Sequence, residues 1–266
     1  ILLSTLLSLW GIRLFTVPAK SGLPKLLRWK DEYLQSDFPA CRLVLGESLL
    51  GTVSLDLNLI PHVLLGGGTG SGKSVLLKLM LMQCLKQPNI NVTIADFKGG
   101  VDFGGRWREH PNCKLILDRE TLIAYLDSVA EKLEQRKDLL GKAECTNIYA
   151  YNSRESIPMD RIVFAVDEVA EILDKTGLTK AEKEQVARIE NRLSTIARQG
   201  RAFGIHLLLS TQRPDANILS GQIRNNIGYR ICGRADNVLS MIILDNTDAS
   251  DKIPNDAQGR FLMGDG

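Results

Sequence analysis

Along the chain, short apolar runs alternate with longer segments whose apolar residues recur every three or four positions. The short runs are HVLLG (62–66), INVTIADF (90–97), CKLIL (113–117), RIVFAVDE (161–168), HLLLST (206–211), YRICG (229–233) and RFLMG (260–264). Their length and their β-branched content predict strands. Between them, TLIAYLDSVAEKLEQRKDLL (121–140) sets Leu122, Tyr125, Leu126, Val129 and Leu133 on one helical face, with charges between. AEKEQVARIENRLSTIARQ (181–199) reads as a charged amphipathic helix, and SVLLKLMLMQCL follows the first run as another helix. Strands alternating with helices predict an α/β fold, a mainly parallel central sheet with helices on both faces.

The regular pattern covers residues 46–266, and residues 1–45 form a lead-in. The opening ILLSTLLSLW is mostly apolar but shorter than the roughly 20 residues a spanning helix needs. Three expectations stand for it: an amphipathic packing helix, the end of a membrane anchor, or a signal-like segment. PAKSGLPK after it is a turn-rich link.

Composition narrows the partners. With 44% apolar and 24% charged residues, the 266-residue chain can bury a full core. The net charge of +2 encodes no global attraction to nucleic acid, so DNA contact requires a local basic surface. The five cysteines (41, 84, 113, 145, 232) form no CxxC pair, which suits a reduced, cytosolic chain. The histidines at 62, 110 and 206 lack metal-ligand spacing, and His206 reads as a core residue.

Chemistry enters at LLGGGTGSGKSVLL, where Gly67 to Ser74 spell GxxxxGK[ST] between a strand and a helix. Glycines let backbone N–H groups close around phosphates, and the helix N-terminus adds partial positive charge. Gly67, Gly68, Thr69, Gly70, Ser71, Gly72, Lys73, Ser74 and Val75 are therefore the expected ATP contacts. Lys73 is expected at the β and γ phosphates, and the Ser74 hydroxyl at Mg²⁺. In RIVFAVDE, Asp167 and Glu168 end a buried strand. Asp167 suits the Mg²⁺ shell, and Glu168 suits a general base that polarises the attacking water. A second acid here favours ATP hydrolysis over phosphoryl transfer, which argues against a small-molecule kinase.

Together these residues resemble the motor domain of FtsK/SpoIIIE-type DNA translocases, RecA-like P-loop ATPases. The resemblance runs from about Leu45 to the end. It rests on Pro61-His62 before the phosphate loop, Asp96-x-Lys98 in ADFKGGVDF, LEQRKDLLGKAECTNIYAYN, the acidic strand, GRAFGIHLLLSTQRP, SGQIRNNIGYRI, ILD and GRFLMGDG. DFKGG and DEVAEIL are similar to the short FtsK-like coupling proteins of Gram-positive conjugative elements. DFKGG also resembles the ATPase modules of type VII secretion, which handle proteins.

The resemblance implies a hexameric ring that moves double-stranded DNA for conjugative transfer or chromosome segregation, with a secretion ATPase binding protein substrates as the alternative. It implies a cytoplasmic motor held at a membrane by an upstream segment, with membrane or secretion-channel partners. Gln212 falls at the family's γ-phosphate sensor and Arg201 at its arginine finger, with Arg198 as runner-up. Arg213, Arg224 and Arg234 are the expected DNA contacts. Asn237 and Met241 stand where translocases often carry basic residues.

Overall fold

The computed structural model describes residues 27–33, 41–213 and 219–265. The apolar opening, the PAKSGLPK link and Pro214 lie outside the described residues. An antiparallel hairpin comes first, β1 (Arg42–Ser48) with β2 (Gly51–Asp56). Then follow β3 (His62–Gly66), α1 (Lys73–Lys86), β4 (Ile90–Ala95), α2 (Arg106–Glu109), β5 (Cys113–Ile116), α3 (Arg119–Lys142) and α4 (Ile148–Arg154). The second half holds β6 (Arg161–Val166), α5 (Val169–Leu173), α6 (Lys180–Gln199), β7 (Ile205–Thr211), α7 (Gly221–Arg224), β8 (Tyr229–Gly233), α8 (Asn237–Leu244), α9 (Asp248–Lys252) and β9 (Phe261–Asp265).

The main sheet runs β5-β4-β6-β7-β3-β8-β9. Its pairs are parallel except β8 with β9, so the mainly parallel sheet read from the sequence is present with one antiparallel edge. Alternation along each strand assigns residues to two cores. Leu64, Phe164, Val166, Leu207 and Leu209 face α3 and α6 through Leu126, Val129, Ile189 and Leu193. Val63, Leu65, Val163, Ala165 and Leu208 face α1 through Leu77, Met80 and Leu81. Burial on both faces explains why these strands are continuously apolar.

Helix ends follow from local chemistry. The Asp118 carboxylate caps α3 by accepting from the Thr121 N–H (2.8 Å), and Thr179 with Glu182 forms a capping box at α6.

The hairpin is the element the periodicity did not announce, and β1 runs through residues 45 and 46. It covers the outer side of α1, with Leu43, Leu55 and Leu57 in that core. Gln83 of α1, buried, holds β1 by its backbone. Its Oε1 accepts from the Val44 N–H (2.8 Å) and its Nε2 donates to the Val44 carbonyl (2.9 Å).

Charged and polar groups are also buried at the amino ends of the strands. Arg161 donates to Asn58 Oδ1 (2.5 Å) and lies 3.4 Å from His206 Nε2. Arg136 donates to the carbonyls of Phe203 and Asp160. His206 is thus the core histidine expected of it, fully buried between β7 and this network.

His62 gives a pH test. Its Nδ1 accepts the Leu207 N–H (3.0 Å), and burial pushes its pKa down to about 4. The unfolded chain regains an ordinary value of about 6.5, so between these pH values the unfolded state binds the extra proton. Stability should therefore fall as pH drops through that window, by up to about 3 kcal/mol from this group. Urea unfolding at pH 7 and pH 5 checks this. His62→Gln should lose less stability than the unaltered chain over the same interval; an equal loss would refute the assignment.

Candidate nucleotide-binding site

The loop between β3 and α1 lies at the carboxyl ends of the parallel strands, where open α/β sheets bind ligands. Gly70 and Gly72 have φ of +76° and +96°, left-handed values that side chains resist. A Cβ on Gly72 would also approach the Gly259 nitrogen to 3.1 Å. The loop is held from outside itself. The Gly68 N–H donates to the Arg234 carbonyl (2.8 Å), and the Gly259 N–H donates to the Ser71 carbonyl (2.8 Å). Val75, on the first turn of α1, is exposed.

Three strand ends converge on this loop. Asp167, next after β6, is only 1% exposed. Its Oδ1 accepts from the Ser74 hydroxyl (3.0 Å) and lies 3.6 Å from Lys73 Nζ, while Lys98 Nζ stands 3.5 Å from Oδ2. Lys73, also buried, donates to the Asp167 carbonyl (2.6 Å) and to Ser210 Oγ (2.9 Å). Burial lowers the pKa of this ammonium, and the Asp167 charge pulls it back up.

Glu168 caps α5 and is locked from β7. Its Oε1 accepts from Thr211 Oγ1 (2.7 Å), and its Oε2 accepts from the Gln212 N–H (2.9 Å). The Gln212 side chain faces the phosphate loop, its Oε1 accepting from Thr69 Oγ1 (3.3 Å). Thus Lys73, Ser74, Asp167, Glu168 and Gln212 gather in one site although they come from three segments.

The donor set fits a magnesium nucleotide. Ser71 Oγ is buried without a hydrogen-bond partner inside the loop, a polar atom left for a ligand. Ser74 and Asp167 offer hard oxygens in mutual contact. Among the described residues no cluster of three His, Cys, Asp or Glu side chains could hold a metal. Mg²⁺ commonly binds through one or two protein oxygens plus phosphate and water, and the Ser74–Asp167 pair is a donor set of that kind.

The expected arginines separate. Arg201 is exposed on the 3-10 turn Gly200–Phe203 before β7, with Nε 3.4 Å from the Asn58 carbonyl. The length of β7, roughly 20 Å, divides it from the phosphate loop of its own chain. Arg198 is exposed at the end of α6. Arg213 is ion-paired with Glu171 (2.7 Å) and Asp174 (3.4 Å). Arg224 lies at the end of α7 with Nε buried and unbonded. Arg234 does not stand on a free basic face. Its Nη2 donates to the Thr69 carbonyl (2.6 Å) and its Nη1 to the Asn255 carbonyl, so it braces the phosphate loop. Lys98, Thr211 and Arg234 belong to this neighbourhood without having been assigned there from sequence. The Asp-x-Lys pattern was the one available signal, for Lys98.

Comparisons with known proteins give the family and the fold. The FtsK/SpoIIIE family model matches residues 28–170. The DNA translocase FtsK of Helicobacter pylori is 28% identical over 239 residues, covering 84% of this chain and 26% of the relative. That of Treponema pallidum is 31% identical over 226 residues, covering 79% and 26%. The chain therefore spans about a quarter of the length of these relatives. A solved structure of the pCW3 conjugation coupling protein TcpA, in monomer form with ATPγS, superposes with a TM-score of 0.85 at 38% identity, covering 92% of this chain and 68% of that one. The type VII secretion ATPase EccC of Thermomonospora curvata shares the fold, with a TM-score of 0.68 at 24% identity, covering 98% of this chain and 30% of that one.

The bracing role of Arg234 can be measured without any ligand. Arg234→Ala should speed amide hydrogen exchange at residues 68–71 and at Gly259 by about tenfold, the effect of losing roughly 1.4 kcal/mol of local protection. Global unfolding should shift little. Unchanged exchange in the loop would show that the guanidinium does not hold it.

Proposed function

The chain belongs to the FtsK/SpoIIIE family, and from that premise we propose that it is the ATP-hydrolysing motor of a DNA translocase. The carrying observation is the link from Glu168 through the Gln212 N–H to Thr69, which joins a basic carboxylate, a strand-end amide and the phosphate loop. The relatives that are DNA translocases, and the conjugation coupling protein TcpA, support DNA as the substrate and conjugative transfer as the setting; we take that DNA to be double-stranded. The likeness to EccC is one of fold, so the secretion alternative has less behind it.

In this reading the loop binds ATP, and phosphate oxygens replace the Asp167 carbonyl and Ser210 as partners of Lys73. Ser74 and Asp167 would hold Mg²⁺, which supplies neutralisation of phosphate charge when bound. Glu168, oriented by Thr211 and Gln212, accepts a proton from water as the water oxygen bonds to the γ-phosphorus and the bond to ADP breaks. Gln212 orients that water. Arg201, remote from its own loop, acts on the nucleotide of a neighbouring subunit in a ring, which we take to be hexameric. Arg213 and Arg224 face DNA in this reading, whereas Arg234 braces the phosphate loop. We take the motor unit to include the β1–β2 hairpin, because the hairpin is packed into its core. Among the described residues no helix is long and apolar enough to cross a membrane; membrane association through an upstream segment belongs to this proposal.

Two experiments test the assignment. Glu168→Gln should keep ATP affinity while the hydrolysis rate drops by on the order of 10²–10⁴. Lys73→Ala should lose ATP binding as well; equal affinity in both variants would undo these roles. In the unaltered full-length protein, double-stranded DNA should raise the ATPase rate severalfold, and a rate indifferent to DNA argues against translocation.

The trans role of Arg201 is tested by mixing subunits. Arg201→Ala alone should lose on the order of 10³–10⁵ in rate, the value of an arginine finger. Mixing it with Lys73→Ala subunits should restore activity, because some interfaces then pair an intact loop with an intact arginine. If no mixture recovers activity and Arg201→Ala itself binds ATP poorly, the arginine acts within its own chain.

A further inference from the structure

We propose that Lys98 is a second phosphate-contacting cation of the nucleotide site, one that distinguishes a nucleoside triphosphate from a diphosphate. The inference rests on the reading of residues 67–74 as a nucleotide loop.

The backbone aims Lys98 at the site. Asp96, 2% exposed beyond the end of β4, accepts the Lys98 N–H at Oδ1 (3.0 Å) and closes a side-chain turn. Gly99 and Gly100 follow at φ of +84° and +70°. At both positions the backbone conformation disfavours a side chain, and a Cβ on Gly100 would also meet Arg108 Nη2 at 2.7 Å. The far side of the turn is fixed by fully buried Phe103, edge-to-face with Trp107 at 5.4 Å, and by Lys78 paired with Asp102 at 3.3 Å.

The grip on Asp167 is loose where the turn is firm. At 3.5 Å, Lys98 Nζ sits at the limit of hydrogen-bond distance from Oδ2. Its side chain is 36% exposed, against 3% for Lys73. Two ammoniums therefore share one carboxylate, and the Lys98 charge reaches Lys73, where it helps to lower that pKa. The Lys98 ammonium, partly exposed and held only at 3.5 Å, is available to a phosphate that enters beside Asp167.

Sheet order says which part of the anion. β4 lies beside β6, with Ala95 opposite Val166, while β3 and its phosphate loop lie on the other side of β7. Lys98 thus faces Asp167 from the side away from the loop. A triphosphate gripped at residues 67–74 carries its terminal phosphate toward Asp167 and Gln212. A diphosphate ends one group earlier and in this proposal leaves Lys98 without that contact.

The test uses the full chain, with Lys98→Met and Lys98→Arg. ATPγS and ADP are titrated by calorimetry, with and without magnesium, and urea unfolding checks each fold. Lys98→Met should bind ATPγS about tenfold more weakly, the loss of roughly one charge-assisted contact, while ADP affinity stays within about twofold. Lys98→Arg should stay within about threefold of the unaltered chain for both. If Lys98→Met binds ATPγS as tightly as the unaltered chain, or weakens ATPγS and ADP equally, Lys98 merely neutralises Asp167 and the proposal fails alone. If the unaltered chain binds neither nucleotide, the nucleotide-site reading fails and takes this inference with it.

Discussion

The burial of Asp167 is the constraint around which the site is organised. A carboxylate almost removed from water is costly unless cations and donors surround it. Ser74 and Lys73 supply part of that compensation from the start of α1, and Lys98 supplies more from the turn after β4. These partners come from two different connections, so satisfying one charge sets β3, β4 and β6 in register at their carboxyl ends. Lys73 is itself buried and cannot be left unpaired. It therefore rests on the Asp167 carbonyl and Ser210, which adds β7 to the same knot.

The end of β7 shows how one strand serves several groups. Ser210 donates to the Asp167 carbonyl as well as receiving Lys73, and Thr211 donates to Glu168. The Gln212 backbone also donates to Glu168 while its side chain meets Thr69. Arg213 then turns outward to Glu171 and Asp174 on and just beyond α5. Successive residues thus touch the lysine, the candidate base, the phosphate loop and the following helix. A change at the phosphate loop has a short hydrogen-bonded route to the residue at which β7 leaves the site.

The opposite ends of the strands carry a second buried polar set, Arg161, His206, Asn58 and Arg136, with Arg201 exposed beside it. The sheet therefore has two polar poles separated by an apolar middle. One pole surrounds the phosphate loop. The other presents Arg201, about the length of β7 away from that loop.

Much of the fold was legible because its causes are local. Continuous apolar runs mark strands buried on both faces, and the spacing of Leu122, Leu126, Val129 and Leu133 marks α3. Gly70, Gly72, Lys73 and Ser74 act through neighbours in the chain, so their pattern identifies the loop before any contact is known. Other features depend on which strands lie side by side. The hold of Gln83 on β1, the meeting of Lys98 with Asp167, and the capture of Arg234 by the Thr69 carbonyl join positions far apart in the chain. An arginine in sequence is only a charge; whether it faces a solvent path, an acid or a carbonyl is decided by packing. The sequence by itself thus determined the strands of the main sheet, the three long helices and the chemistry of the phosphate loop. Only the tertiary structure decided which cations surround Asp167 and which arginine stands apart, because those pairings follow from strand order, and strand order is not written in local periodicity.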